Sequence, residues 1–64
     1  MQDFQQRVVD EHRELAGRLE KLDAFLMGDK LNTLPTDEKI RLAKQSDAMR
    51  SYRDILRERI AAFA

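Results

Sequence analysis

The chain has no cysteine and no tryptophan, and only one proline, two glycines and one tyrosine in 64 residues. Without cysteine there is no disulfide framework and no redox compartment to infer. One histidine and no thiolate make a poor metal site. The scarcity of glycine and proline, with 38% charged residues, suits helices with solvated faces better than a sheet or a disordered tract. Net charge is also missing, since twelve basic and twelve acidic side chains cancel, so a general coating of polyanions has no electrostatic support. No apolar run is long enough to cross a bilayer. The opening MQDFQQRVV lacks the basic-then-apolar order of a signal peptide, so the expected location is the cytoplasm. At most one domain fits in this length. A chain so short usually needs disulfides, a metal or partner chains; the first is excluded and the second poorly supplied. Self-association remains.

What is present is helical periodicity. Phe4, Val8, Leu15, Leu19, Leu22 and Leu26 keep three-and-four spacing once His12 fills the gap between Val8 and Leu15. The spacing predicts a first helix from about residue 3 to 27. Gly17 is its weak point, and Gly28 is a natural stop. The loop is expected at about 28–35, with Leu31 and Leu34 folding back over the hairpin end. Pro35 disfavours helical geometry at Leu34, and Thr36 reads as the N-cap of a second helix over about 37–62. In that helix Leu42, Met49, Leu56 and Phe63 recur every seven residues. Gln45, Tyr52 and Arg59 form a second row, offset by three, which completes a heptad pattern. Ala48, Ile55 and Ala62 flank it. The fold class is therefore all-α: an antiparallel two-helix hairpin, 1–64 in one domain, assembling into a helical homo-oligomer. Folding about the loop pairs Leu22 with Leu42, Leu19 with Gln45, Leu15 with Met49, His12 with Tyr52, Val8 with Leu56 and Phe4 with Ile60. Val9, Ala16, Phe25, Ala48 and Ile55 are left over, and this surplus apolar surface argues for a second interface.

The candidate binding residues lie on or beside these stripes. His12 is either a ligand contact or a partly buried ring bonded to Tyr52 or to a neighbouring chain. The polar row Gln45, Tyr52 and Arg59 either sets the register of a coiled coil or lines a pocket. In a pocket the amide, the tyrosine ring and the guanidinium would hold a base and a phosphate. Arg50, Arg53 and Arg57 share one face of the second helix and form either a solvated face or an anion site. Arg7, Arg53 and Arg57 converge on Glu11 in the expected register, so Glu11 is read as the acid that organises the arginines. No phosphate loop, Ser/His/Asp set, CxxC or EF-hand spacing occurs. No catalytic constellation can be assembled, so an enzyme is not expected, nor is any cofactor.

The order RVVDEHREL, LEKLDAFL and the Q-xxx-M-xx-Y-xxx-L-xx-RI run resembles a group of very small proteins of bacteriophages and prophages, labelled by relation to a crAss-like phage gene product. The matching positions are Arg7, Val8, Glu11, Leu15, Leu19, Leu22, Phe25, Leu34, Gln45, Met49, Tyr52, Leu56, Arg59 and Ile60, nearly the whole chain. His12 departs from the pattern, standing where a lysine is expected. The resemblance implies a phage accessory protein made inside an infected bacterium. By analogy with other tiny helical phage oligomers, the expected function is stoichiometric sequestration of a small nucleotide-type immune signal. The phosphates would lie on arginines and a base on Tyr52. The alternative is an inhibitor or adaptor that docks a host protein through an apolar helix face. Neither a nucleic-acid polymer nor a membrane is an expected partner.

Overall fold

Helix α1 spans Asp3–Leu26 and helix α2 spans Thr36–Ala61 in the computed structural model, which describes residues 2–63. A short 3-10 helix, Asp29–Thr33, bridges them, a turn the sequence pattern does not foresee. Among the described residues there is no strand, and no helix is long and apolar enough to cross a membrane.

Local chemistry sets the ends. The Gln2 backbone N–H donates to Gln5 Oε1 at 3.0 Å, satisfying a donor that the first turn leaves free. At the other end the Met27 N–H donates to the Asp23 carbonyl and the Gly28 N–H to the Phe25 carbonyl, both at 3.1 Å. Gly28 has φ −94°, so the helix stops without a left-handed glycine. Thr36 is not the cap that its residue type suggests. Pro35 takes that place at φ −60° and ψ 152°, and its carbonyl accepts from the Lys39 N–H at 3.1 Å. Thr36 opens the helix, and Asp37 and Glu38 follow in the first turn, where negative charge favours the positive end of the helix dipole.

The helices run antiparallel. Phe4 and Phe63 meet edge to face at the open end, with ring centroids 6.0 Å apart. Asp23 and Ser46 meet near the loop at 2.6 Å. Val8, Leu15, Leu19 and Leu56 are buried in the seam, and Met49, Ile60 and Phe63 pack against it. Leu31 and Leu34 are half-buried over the hairpin end.

The expected Val8–Leu56 pairing falls within one core cluster, but two other expected contacts differ. Asp23 meets Ser46, more than a turn further along α2 than the residue the expected pairing puts opposite it. His12 makes no hydrogen bond with Tyr52 among the described residues, and the Tyr52 hydroxyl donates to Glu11. The second core row of α2 is also different. It is Ser46, Arg53 and Ile60, buried or half-buried, whereas Gln45, Tyr52 and Arg59 are exposed. A heptad row such as Leu42–Met49–Leu56–Phe63 can be completed on either side, at an offset of three or of four. The hairpin takes the offset of four, on the side where Asp23 holds Ser46 and Arg50.

A methyl group at Gly17 would meet nothing within 4 Å among the described residues, so no packing requires glycine there. Gly17→Ala is expected to stabilise the chain by about 0.5–1 kcal/mol through backbone entropy. A lower midpoint in urea denaturation would show that this exposed position touches something in solution.

Candidate functional site

Two grooves flank the seam, one on each side. The first, of about 440 Å³, is lined by Arg7, Asp10, Glu11, Glu14, Leu15, Arg18 and Tyr52. Helical spacing puts Arg7, Glu11, Glu14 and Arg18 on one face of α1, and Tyr52 closes the groove from α2. The Tyr52 ring is 43% exposed and its hydroxyl is tied to Glu11, so the ring is oriented while one side stays open. Arg18 Nη2 lies 3.4 Å from Glu14. Arg7 has no acidic partner within 4 Å among the described residues.

The second groove, of about 510 Å³, is lined by Ala16, Leu19, Glu20, Asp23, Ala24, Met27, Arg53 and Arg57. Its floor is apolar, and Met27 is 89% exposed. Beside it Asp23 accepts from the Ser46 hydroxyl at 2.6 Å and from Arg50 Nη2 at 2.8 Å. The Ser46 hydrogen bond is the main reason the Asp23 carboxyl is held below its ordinary value. Partial desolvation opposes this, and the charge and hydrogen bond of Arg50 and the charge of Arg53 add to it. The folded group therefore titrates lower than the unfolded one, whose pKa is about 3.9. Its contribution to stability is fully present above that value and is lost as pH falls through the folded value. Asp23→Asn should flatten the acid limb of the stability–pH curve relative to the parent chain. An unchanged acid limb would show that the contact between the helices does not persist in solution.

The residues singled out from the sequence thus fall on opposite flanks. Arg7, Glu11 and Tyr52 share the first groove, and Arg53 and Arg57 the second. Arg50 is engaged by Asp23. Arg53 lies 3.3 Å from Asp54 and Arg57 3.8 Å from the same carboxylate. Glu11 is consequently not the organiser of Arg53 and Arg57, because the seam separates them. Among the described residues Gln45 Nε2 donates only to Met49 Sδ, at 3.8 Å. Arg59 is exposed, two turns beyond Tyr52 on the same side of α2. His12 Nε2 is buried without a hydrogen-bond partner among the described residues. Arg18 was missed, although it stands seven residues beyond Glu11 and eleven beyond Arg7, spacings that bring side chains back to one helix face.

A tyrosine ring beside the Arg7 guanidinium can hold a planar, anionic molecule. No curated protein and no solved structure matches the chain. The family model of Sequestin matches residues 2–62, almost end to end, and the chain belongs to the Sequestin family.

Proposed function

We propose that this protein binds and sequesters a small nucleotide-type signalling molecule as a homo-oligomer, without catalysing a reaction, and serves a phage as a counter-defence factor. The observation that carries the ligand class is the first groove, where the oriented Tyr52 ring stands beside Arg7 and Arg18. The ring offers a stacking wall, and guanidinium forks suit phosphate oxygens better than ammonium groups do. Arg7 gives up no ion pair among the described residues on binding, and Arg18 gives up only an exposed one to Glu14, which contributes little. The family name is consistent with a sequestering role. The phage setting rests on the resemblance described above, and self-association on the exposed Tyr52 and Ile55 in a chain with so small a core. Because binding is stoichiometric, protein and signal would be present in comparable amounts.

The test is calorimetry against cyclic dinucleotides, cyclic mononucleotides and ADP-ribose derivatives. At least one is expected to bind tighter than about 10 µM, roughly −7 kcal/mol. If none does, the sequestration reading gives way to the second one. In that reading the apolar second groove, with Met27 at its edge, accepts an apolar side chain of a host protein.

A further inference from the structure

We propose that a second copy of this chain seats on the exposed stripe of α2 formed by Gln45, Ala48, Tyr52, Ile55, Arg59 and Ala62. The two copies lie antiparallel about a two-fold axis, and the partner walls in the open side of the Tyr52 groove. The inference rests on the sequestration reading only for what fills that groove; the assembly stands on its own observations.

All six positions are exposed, yet they are spaced alternately by three and four, the pattern of a helix–helix seam. Helical geometry puts this stripe about a quarter turn from the one that packs on α1. A helix with two such stripes has two helical neighbours, as in a four-helix bundle. The hairpin supplies one neighbour and has no further helix to offer. It is 14 Å across, the thickness of one layer of paired helices, so the Tyr52 groove opens on solvent unless something covers it.

Size and charge choose a second copy and fix its direction. In a parallel, in-register pair Arg59 would face the second copy's Arg59, two like charges in the seam. An antiparallel pair centred between Tyr52 and Ile55 instead puts Tyr52 against the second copy's Ile55, and Arg59 across the small Ala48, which its aliphatic stem can cover. On α1 the same two-fold brings Glu11 toward the second copy's Arg18 and Phe4 toward its Phe25. Opposite charges and aromatic rings therefore meet without any change of register. A surface that is its own complement under one two-fold is the signature of an isologous interface. Each ligand groove is then bounded by both copies and is incomplete in one.

The test uses the absence of native cysteine. In the Ala48→Cys/Arg59→Cys variant the two thiols are about 16 Å apart along one helix, too far for a disulfide within a chain. Oxidation, or a short bismaleimide, followed by peptide mapping should give chiefly 48-to-59 links between chains. Links of 48 to 48 and 59 to 59 alone would overturn the antiparallel arrangement, and so would a folded variant that forms no interchain link. Sedimentation provides a second arm that does not depend on that variant. The unmodified chain should be a dimer at micromolar concentration, and Ile55→Glu should raise its dissociation constant at least about 100-fold, since two buried, unpaired charges result. Ile40→Glu, equally exposed but off the stripe, should leave the dimer intact. A folded monomer from the unmodified chain, or equal effects of the two glutamates, would overturn the proposal. A correct cross-link pattern with no nucleotide binding removes the sequestration reading and leaves the assembly. Binding with a wrong pattern does the reverse.

Discussion

Leu56→Ala is expected to lose about 2–5 kcal/mol of stability. Leu56 is 0% exposed, the most enclosed side chain of α2, and it lies in one cluster with Val8 and Leu15. Truncation removes the transfer free energy of its methyl groups and leaves a void that two long helices cannot easily close. Small domains are only marginally stable to begin with, so a loss of this size would leave much of the population unfolded at ambient temperature. Urea denaturation followed by circular dichroism reads the effect directly. Leu22→Ala is the matched comparison: Leu22 is half-buried and should cost less, because part of its surface already faces solvent. Equal midpoints for Leu56→Ala and the parent chain would mean that the α2 row facing α1 is not the one through Leu56.

Arg7→Ala should weaken the binding of whichever nucleotide the panel identifies by about 10- to 100-fold, the loss expected for one hydrogen-bonded charge pair of about 1.5–3 kcal/mol. Arg7 lines the Tyr52 groove and makes no ion pair with an acid among the described residues, so its removal should leave the hairpin intact. Tyr52 separates two roles. Tyr52→Phe keeps the ring and loses only the hydroxyl that donates to Glu11, and should retain most of the affinity if stacking dominates. Tyr52→Ala removes the wall and should bind weakly. Arg57→Ala, on the opposite flank, should bind like the parent. If Arg57→Ala loses affinity and Arg7→Ala does not, the ligand sits in the second groove and the assignment of flanks is reversed. Affinity should also fall with salt, less steeply than for a nucleic acid, because few phosphates are neutralised.

These expectations divide between what a one-dimensional pattern carries and what it leaves open. The three-and-four recurrence of Val8, Leu15, Leu19, Leu22 and Leu56 already dictates helices and names the residues that are buried, because burial follows from which side chains share a helix face. The absence of cysteine and the scarcity of glycine and proline narrow the class further. Periodicity does not say which of two neighbouring stripes on α2 turns inward. Gln45–Tyr52–Arg59 and Ser46–Arg53–Ile60 complete the same heptad row equally well on paper. A contact between residues 23 apart in the chain decides it, where Asp23 receives the Ser46 hydroxyl and the Arg50 guanidinium. Ser46 gives no sequence signal of its own, since a serine within a charged helix reads as solvated. That one choice rotates α2 about its axis, turns Tyr52 toward Glu11, and sends Arg53 and Arg57 to the far flank. The two helices, the inward row of α1 and the Leu42–Met49–Leu56–Phe63 row of α2 were thus legible in the sequence alone, but the second row of α2 was not. Only the tertiary structure decided which arginines stand beside the tyrosine, because the rotation of one helix against the other is fixed by contacts between them, and a periodic pattern is the same for every such rotation.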